Sequence, residues 1–165
     1  MKTLHLLRHA KSDWSGPGVE DRDRGLNARG ERDAPRIGAA LAQRLQPQVI
    51  TASPARRAQL TLAGVCSGWP AVAGLSHRTE EALYTFSVRD LLAWLESQPD
   101  SEASLFLIGH NPGLTDLVNW LAPKAGLVNL PTAGYVQLHL ATDHWRELRD
   151  CDGEVVLELF PRDLD

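Results

Sequence analysis

Four consecutive apolar residues, Leu105–Ile108, break at once into Gly109-His110-Asn111-Pro112-Gly113, after which Leu114, Leu117, Val118 and Leu121 recur at helical spacing. A run that short and that continuous suits a strand covered on both faces, and the following period suits a helix packed on one side. This unit of strand, turn and helix constrains the fold more than any other feature. Strands that are apolar throughout belong to parallel sheets with helices above and below.

The rest of the chain repeats the pattern. Thr3–Leu7 reads as a short strand ended by Arg8-His9, two polar side chains that a buried strand does not tolerate without a purpose. Trp14–Gly25, which contains Glu20-Asp21-Arg22-Asp23-Arg24, has the composition of a solvated loop, and its place after Arg8-His9 lets it edge whatever site they form. Asn27 then caps a helix over Ala28–Leu45, where Ile37, Leu41 and Leu45 share a face. Val49-Ile50-Thr51 is a second strand, and a helix over Ala55–Val65 follows with Ser53 as its cap and Pro54 as its first residue. An extended stretch near Leu75–Arg78 leads to a helix over Ser87–Leu95. Tyr135–Leu140 and Glu154–Phe160 read as late strands, with Asp152-Gly153 as a hairpin-like turn between them. The expectation is one α/β domain over residues 1–165, with a central, mostly parallel sheet and helices on both faces.

The 165 residues suit a single core, and 43% hydrophobic with 23% charged residues suits a chain that folds alone. No apolar run approaches the ~20 residues of a membrane-spanning helix, so no membrane partner is expected and the cytoplasm is the expected compartment. A net charge of −4 argues against general nucleic-acid affinity. Cys66 and Cys151 lie far apart and are expected as buried small apolar residues.

In open α/β sheets ligands gather at the carboxyl ends of strands. Three strands here end in Arg8-His9, in Ser53-Pro54-Ala55-Arg56-Arg57-Ala58 and in Gly109-His110. Two histidines and three arginines would then share one crevice, where like charges repel, and an anionic ligand explains them best. Guanidinium forks match phosphate oxygens. His5-x-x-x-His9 mimics a metal spacing, but it lies on a strand and has no third ligand, so no metal and no cofactor is expected. His77, His139 and His144 belong to no motif.

Leu7-Arg8-His9-Ala10-Lys11-Ser12, Ser53-Pro54-x-x-Arg57-Ala58 followed by Thr61, and Gly109-His110-Asn111-Pro112 occur in this order. They resemble the motifs of the histidine phosphatase (phosphoglycerate-mutase-like) superfamily. The short length, Ala10 and Asn111-Pro112-Gly113 are most similar to its SixA-like phosphohistidine phosphatase branch. The resemblance implies a phosphoglycerate-mutase-like fold, with His9 as the nucleophile that carries the phosphoryl group and Arg8, Arg57 and His110 as its binding groups. Arg56 is expected at solvent or at the rim. Glu81, three residues before Tyr84, fits the superfamily's acid position, while Ser12 and Thr132 fit substrate-binding positions.

The implied partner is a protein domain bearing phosphohistidine. A phosphatase of small phosphorylated metabolites is the alternative, and a non-catalytic phosphate-binding module is disfavoured because both histidines accompany the arginines. A mutase is disfavoured because the chain lacks room to enclose a substrate. Glu81-Ala82-Leu83-Tyr84 passes through Thr85-Phe86 directly into a helix, so no insertion can fold over the pocket and an open mouth is expected.

Overall fold

The strand that ends in Arg8-His9 is β1, Lys2–Arg8, in a computed structural model that describes residues 1–164. The elements that follow are α1 (Ala28–Ala42), β2 (Thr51–Ala52), α2 (Arg56–Gly68), α3 (Pro70–Ala73) and β3 (Arg78–Thr79). After them come α4 (Val88–Glu96), β4 (Ser104–Gly109), α5 (Gly113–Leu121), β5 (Tyr135–Leu140) and β6 (Gly153–Leu159). The six strands form one sheet in the order β3-β2-β4-β1-β5-β6. β3, β2, β4 and β1 are parallel, whereas β5 runs antiparallel to β1 and the edge strand β6 antiparallel to β5. The chain is a single α/β domain with a mostly parallel sheet.

Alternation along β1 splits the core. Leu4 and Leu6 join Leu105 and Leu107 under α4 and α5, against Leu91, Leu92, Leu95, Leu114, Leu117 and Leu121. Leu7 joins Phe106, Ile108 and Tyr135 on the other face, against Ile37 and Leu41 of α1 and Ala58 and Val65 of α2. Each fully buried Leu or Ile contributes ~1.5–3 kcal/mol, so both helical layers are fixed by apolar burial. α1 and α2 pack closely because Gly38 has no side chain: a Cβ there would lie 2.5 Å from the Val65 carbonyl oxygen and 2.8 Å from its Cα.

Some local readings change. Asn27 caps α1 as expected, its side chain accepting from the Gly30 amide at 2.9 Å, but α1 ends at Ala42 rather than Leu45. α2 begins at Arg56 with Ala55 as its cap residue, so Ser53 does not cap it. Asp152-Gly153 is not a tight hairpin turn. Leu140 pairs with Gly153, and the intervening chain includes a 3-10 turn over Trp145–Asp150 that buries Trp145 and Leu148. Cys66 and Cys151 are free and half-buried rather than buried.

The register brings three chain ends level. Arg8 pairs with Gly109, the His9 amide donates to the Gly109 carbonyl, and the Ser53 amide donates to the Ile108 carbonyl. His9, Ser53 and His110 therefore step off adjacent parallel strands at one height.

Candidate active site

The centre of that crevice is His9. Its Nδ1 donates to the Ala10 carbonyl at 2.7 Å, which fixes the proton there and leaves Nε2 as the lone-pair nitrogen, with no hydrogen-bond partner among the described residues. The hydroxyl of Thr61 accepts from the Ala10 amide at 2.9 Å and donates to the Arg57 carbonyl at 2.7 Å, tying the first motif to the second. Burial, reinforced by the positive charge of Arg57 and Arg8, lowers the His9 pKa to about 4. The imidazole is neutral at pH 7.

His110 lies beside it, ring centroids 5.2 Å apart. Its Nε2 is 2.8 Å from the Ser53 hydroxyl, which also accepts from the Ala55 amide at 3.2 Å. Ser53 Oγ accepts from Ala55 and gives its own proton to Nε2, which puts the His110 proton on Nδ1. Burial, followed by the nearness of His9 and Arg57, lowers the His110 pKa to about 3. Tyr84 and Phe86 meet the same ring edge-on at 5.6 and 5.5 Å.

Arg8 donates through Nη1 to the Leu130 carbonyl at 3.0 Å. Arg8 Nε and His110 Nδ1 are buried donors without a partner among the described residues. Buried polar groups are nearly always paired, so two unpaired donors flanking one imidazole mark a place for an acceptor, and an oxyanion meets that need.

Arg57 is buried, 4% exposed, whereas Arg56 is exposed as expected. Asp21 takes both terminal nitrogens of Arg57: Nη1 donates to its carbonyl at 2.7 Å and Nη2 to its carboxylate at 3.0 Å. Tyr84 donates its hydroxyl to the same carboxylate oxygen at 2.5 Å. Burial pushes the Asp21 carboxyl upward, but the hydrogen bonds from Tyr84 and Arg57 outweigh it and hold the group below the usual carboxylate range.

The next residue, Arg22, forms two parallel bonds to Glu81, at 3.0 and 2.6 Å, and lies 5.6 Å from the centre of the Tyr84 ring. Loop 13–25 is therefore strapped to the segment 81–84 across the mouth of the site. His9 is only 7% exposed. The expected open mouth is corrected on this point: the cover comes from the loop after the first motif, not from an insertion after Glu81.

Glu81, at the expected acid position, is exposed and receives both hydrogen bonds from Arg22, which hold its carboxyl below the usual range. Ser12 is buried at the foot of the loop, in a bridge with Leu26, and its side chain makes no hydrogen bond among the described residues. Thr132 is buried in the turn before Ala133, whose amide meets the Arg8 and His9 carbonyls, and its hydroxyl is likewise without a hydrogen bond among the described residues. His5 belongs elsewhere, with Nδ1 2.6 Å from the Tyr135 hydroxyl and Nε2 3.1 Å from both Ser104 Oγ and Gln48 Nε2. Among the described residues no three His, Cys, Asp or Glu side chains gather as a metal ligand set, and no helix is long and apolar enough to cross a membrane.

The structure thus brings together His9, Arg8, Arg57 and His110. It adds Ser53, Asp21 and Tyr84, none of which the sequence reading assigned to the site. Ser53 was legible as a cap and as the head of the second motif, and Asp21 as part of a charged loop able to edge the site. The spacing that nominated Glu81 did point at the segment that carries Tyr84.

Residues 4–91 match the model of the family described as Histidine phosphatase superfamily (branch 1). The uncharacterized protein Rv1276c of Mycobacterium tuberculosis (strain ATCC 25618 / H37Rv) is 30% identical over 152 residues, spanning 86% of this chain and 91% of that one. The structure of SixA from Agrobacterium tumefaciens superposes with a TM-score of 0.78 at 26% identity, covering 97% of this chain and 98% of the other. The protein histidine phosphatase SixA complexed with tungstate shares the fold, with a TM-score of 0.80 at 20% identity over 99% of both chains.

Proposed function

The chain belongs to the histidine phosphatase superfamily, branch 1, and from that premise we propose that it is a phosphatase working through a covalent phosphohistidine on His9, with a phosphohistidine-bearing protein as its substrate. The observation that carries this is the His9 tautomer. With its proton held on Nδ1 by Ala10, a neutral ring attacks phosphorus through Nε2 without first losing a proton. The leaving group departs, and the transferred phosphoryl group rests on Nε2 between Arg8, Arg57 and His110 Nδ1. Positioning and charge stabilisation supply most of the catalysis in such transfers.

The substrate class follows from protons. Both carboxylates at the mouth, Asp21 and Glu81, are held ionised, so neither protonates a strongly basic alkoxide as it leaves. The imidazole of a phosphohistidine needs no such help, because with its remote nitrogen protonated it departs as a neutral ring. The likeness to SixA structures supports the same reading. Ser12 and Thr132 are proposed to meet the substrate beside the phosphoryl group, and a cytoplasmic setting is proposed with it.

The test is a kinetic panel on the full chain, with one phosphohistidine protein domain, free phosphohistidine, and several sugar phosphates and nucleotides. Acid-labile label on His9 and a kcat/KM at least ~100-fold higher for the phosphohistidine protein, equivalent to about 2.7 kcal/mol, are expected. Efficient turnover of one metabolite with none of any phosphohistidine would replace this reading by the metabolite one. Phosphate binding without turnover of any substrate would leave a binding module.

A further inference from the structure

Among the described residues, the carboxylate of Asp21 is the acidic group that pairs with Arg57. Its Oδ2 receives Arg57 and Tyr84, and its Oδ1 has no hydrogen bond among the described residues. It is close enough for its charge to act on both His9 and His110. We propose that Asp21 is the base that takes the proton from the water hydrolysing phospho-His9, an inference that rests on the covalent reading above.

The argument is one of available lone pairs. Once phosphorylated, His9 has none to offer: Nε2 carries phosphorus and Nδ1 carries the proton bound to Ala10. With Ser53 giving its proton to Nε2, His110 has none either, since its own proton then lies on Nδ1. Arg8 and Arg57 are cations, and Tyr84 spends its hydroxyl on Asp21. Glu81 is turned to Arg22 by two hydrogen bonds. Ser12 and Thr132 offer only hydroxyl lone pairs, too weakly basic to take a proton from water, so of the side chains gathered around the pocket Asp21 keeps the free basic oxygen.

Electrostatics adds timing. The hydrogen bonds from Tyr84 and Arg57 favour the ionised carboxylate of Asp21. The arriving phosphoryl group competes for the same guanidinium and brings its own negative charge, which makes the carboxylate more basic when a proton has to be taken. In the step itself the water oxygen bonds to phosphorus, and the P–Nε2 bond breaks. The bonding pair returns to Nε2, leaving a neutral ring with its proton still on Nδ1. One water proton passes to Asp21, the other leaves on the phosphate, and Asp21 then yields its proton to solvent.

The experiment is rapid chemical quench of the full-length protein and its Asp21→Asn variant with radiolabelled phosphoramidate as the phosphodonor, followed by acid-labile label on His9. The variant should form phospho-His9 at close to the wild-type rate and lose it ~10²–10⁴-fold more slowly, so that the labelled enzyme accumulates. An Asp21→Ala variant should regain hydrolysis, but not faster phosphorylation, when formate is added. Label that forms and decays in both variants as in the wild type overturns the inference. Formation slowed as much as decay, with no effect of formate, also overturns it and leaves Asp21 as a prop for Arg57. Absence of label from the wild type overturns the covalent reading instead.

Discussion

Lowering the pH from 7 to 5 should destabilise this protein through three buried imidazoles. His5, His9 and His110 are 3%, 7% and 1% exposed, and burial lowers their pKa values to about 4, about 4 and about 3. In the unfolded chain each returns to the ordinary value of ~6.5. Between pH 6.5 and 4 the unfolded state therefore binds more protons than the folded one, so stability is full above that window and falls as pH drops through it. At 1.36 kcal/mol per pH unit for one proton, the step from pH 7 to 5 removes about 2 kcal/mol for each histidine and about 5–6 kcal/mol for the three. That rivals the whole stability of many domains, ~5–15 kcal/mol. Carboxylates add little, because they titrate below this range. Urea unfolding at both pH values, with the slope m unchanged, should show the loss as a fall in midpoint. His9→Gln should remove about a third of the pH dependence. A stability at pH 5 within about 1 kcal/mol of that at pH 7, under one pH unit's worth of a single proton, would refute the reasoning that burial keeps these rings neutral.

The same neutrality predicts that phospho-His9 formation, corrected for the ionisation of the substrate, stays level from pH 8 to below 6; a limb near 6.5 in a pH–rate profile would contradict it. Arg57→Ala should lower kcat/KM by ~10²–10³, as loss of one oxyanion donor does, while Arg56→Ala leaves it near the wild-type value; equal losses in steady-state kinetics would mean that the wrong arginine was chosen. Gly38→Ala gains about 1 kcal/mol of helix propensity but drives its Cβ into the Val65 backbone, so a net loss of about 1–2 kcal/mol is expected in thermal or urea unfolding. A more stable variant would show that α1 and α2 separate easily.

What the sequence revealed depended on range. The strand, turn and helix at Leu105–Leu121 and the Asn27 cap were readable because their causes lie within a few residues: apolar runs, a glycine turn, a side chain reaching the Gly30 amide. Asp152-Gly153 misled for the same reason. Its local chemistry says turn, but Trp145 and Leu148 bury themselves in the core and lengthen the connection. Asp21 was readable only as part of a loop that could edge the site, because its partners, Arg57 and Tyr84, are 36 and 63 positions away, and a charged loop has the same composition whether solvated or engaged. Ser53 has the residue type of a cap and a position beside His110, and the second prevailed.

The loop that carries Asp21 leaves and rejoins the body of the protein at nearly one point. The Asn27 amide donates to the Lys11 carbonyl at 3.0 Å, the Asp13 amide donates to the Gly25 carbonyl at 2.8 Å, and Ser12 pairs with Leu26 between them. Gly30 seats α1 directly on the Lys11 backbone, with no room there for a Cβ. A segment pinned at its stem in this way behaves as an exchangeable cassette. Doubling its length adds only about 0.6 kcal/mol of closure entropy, and the sheet beneath does not register the change. Selectivity at the mouth can thus drift through insertions and substitutions in residues 14–20 while Asp21 keeps its hold on Arg57 and the histidines below keep their places, and a segment transplanted there should fold with the host.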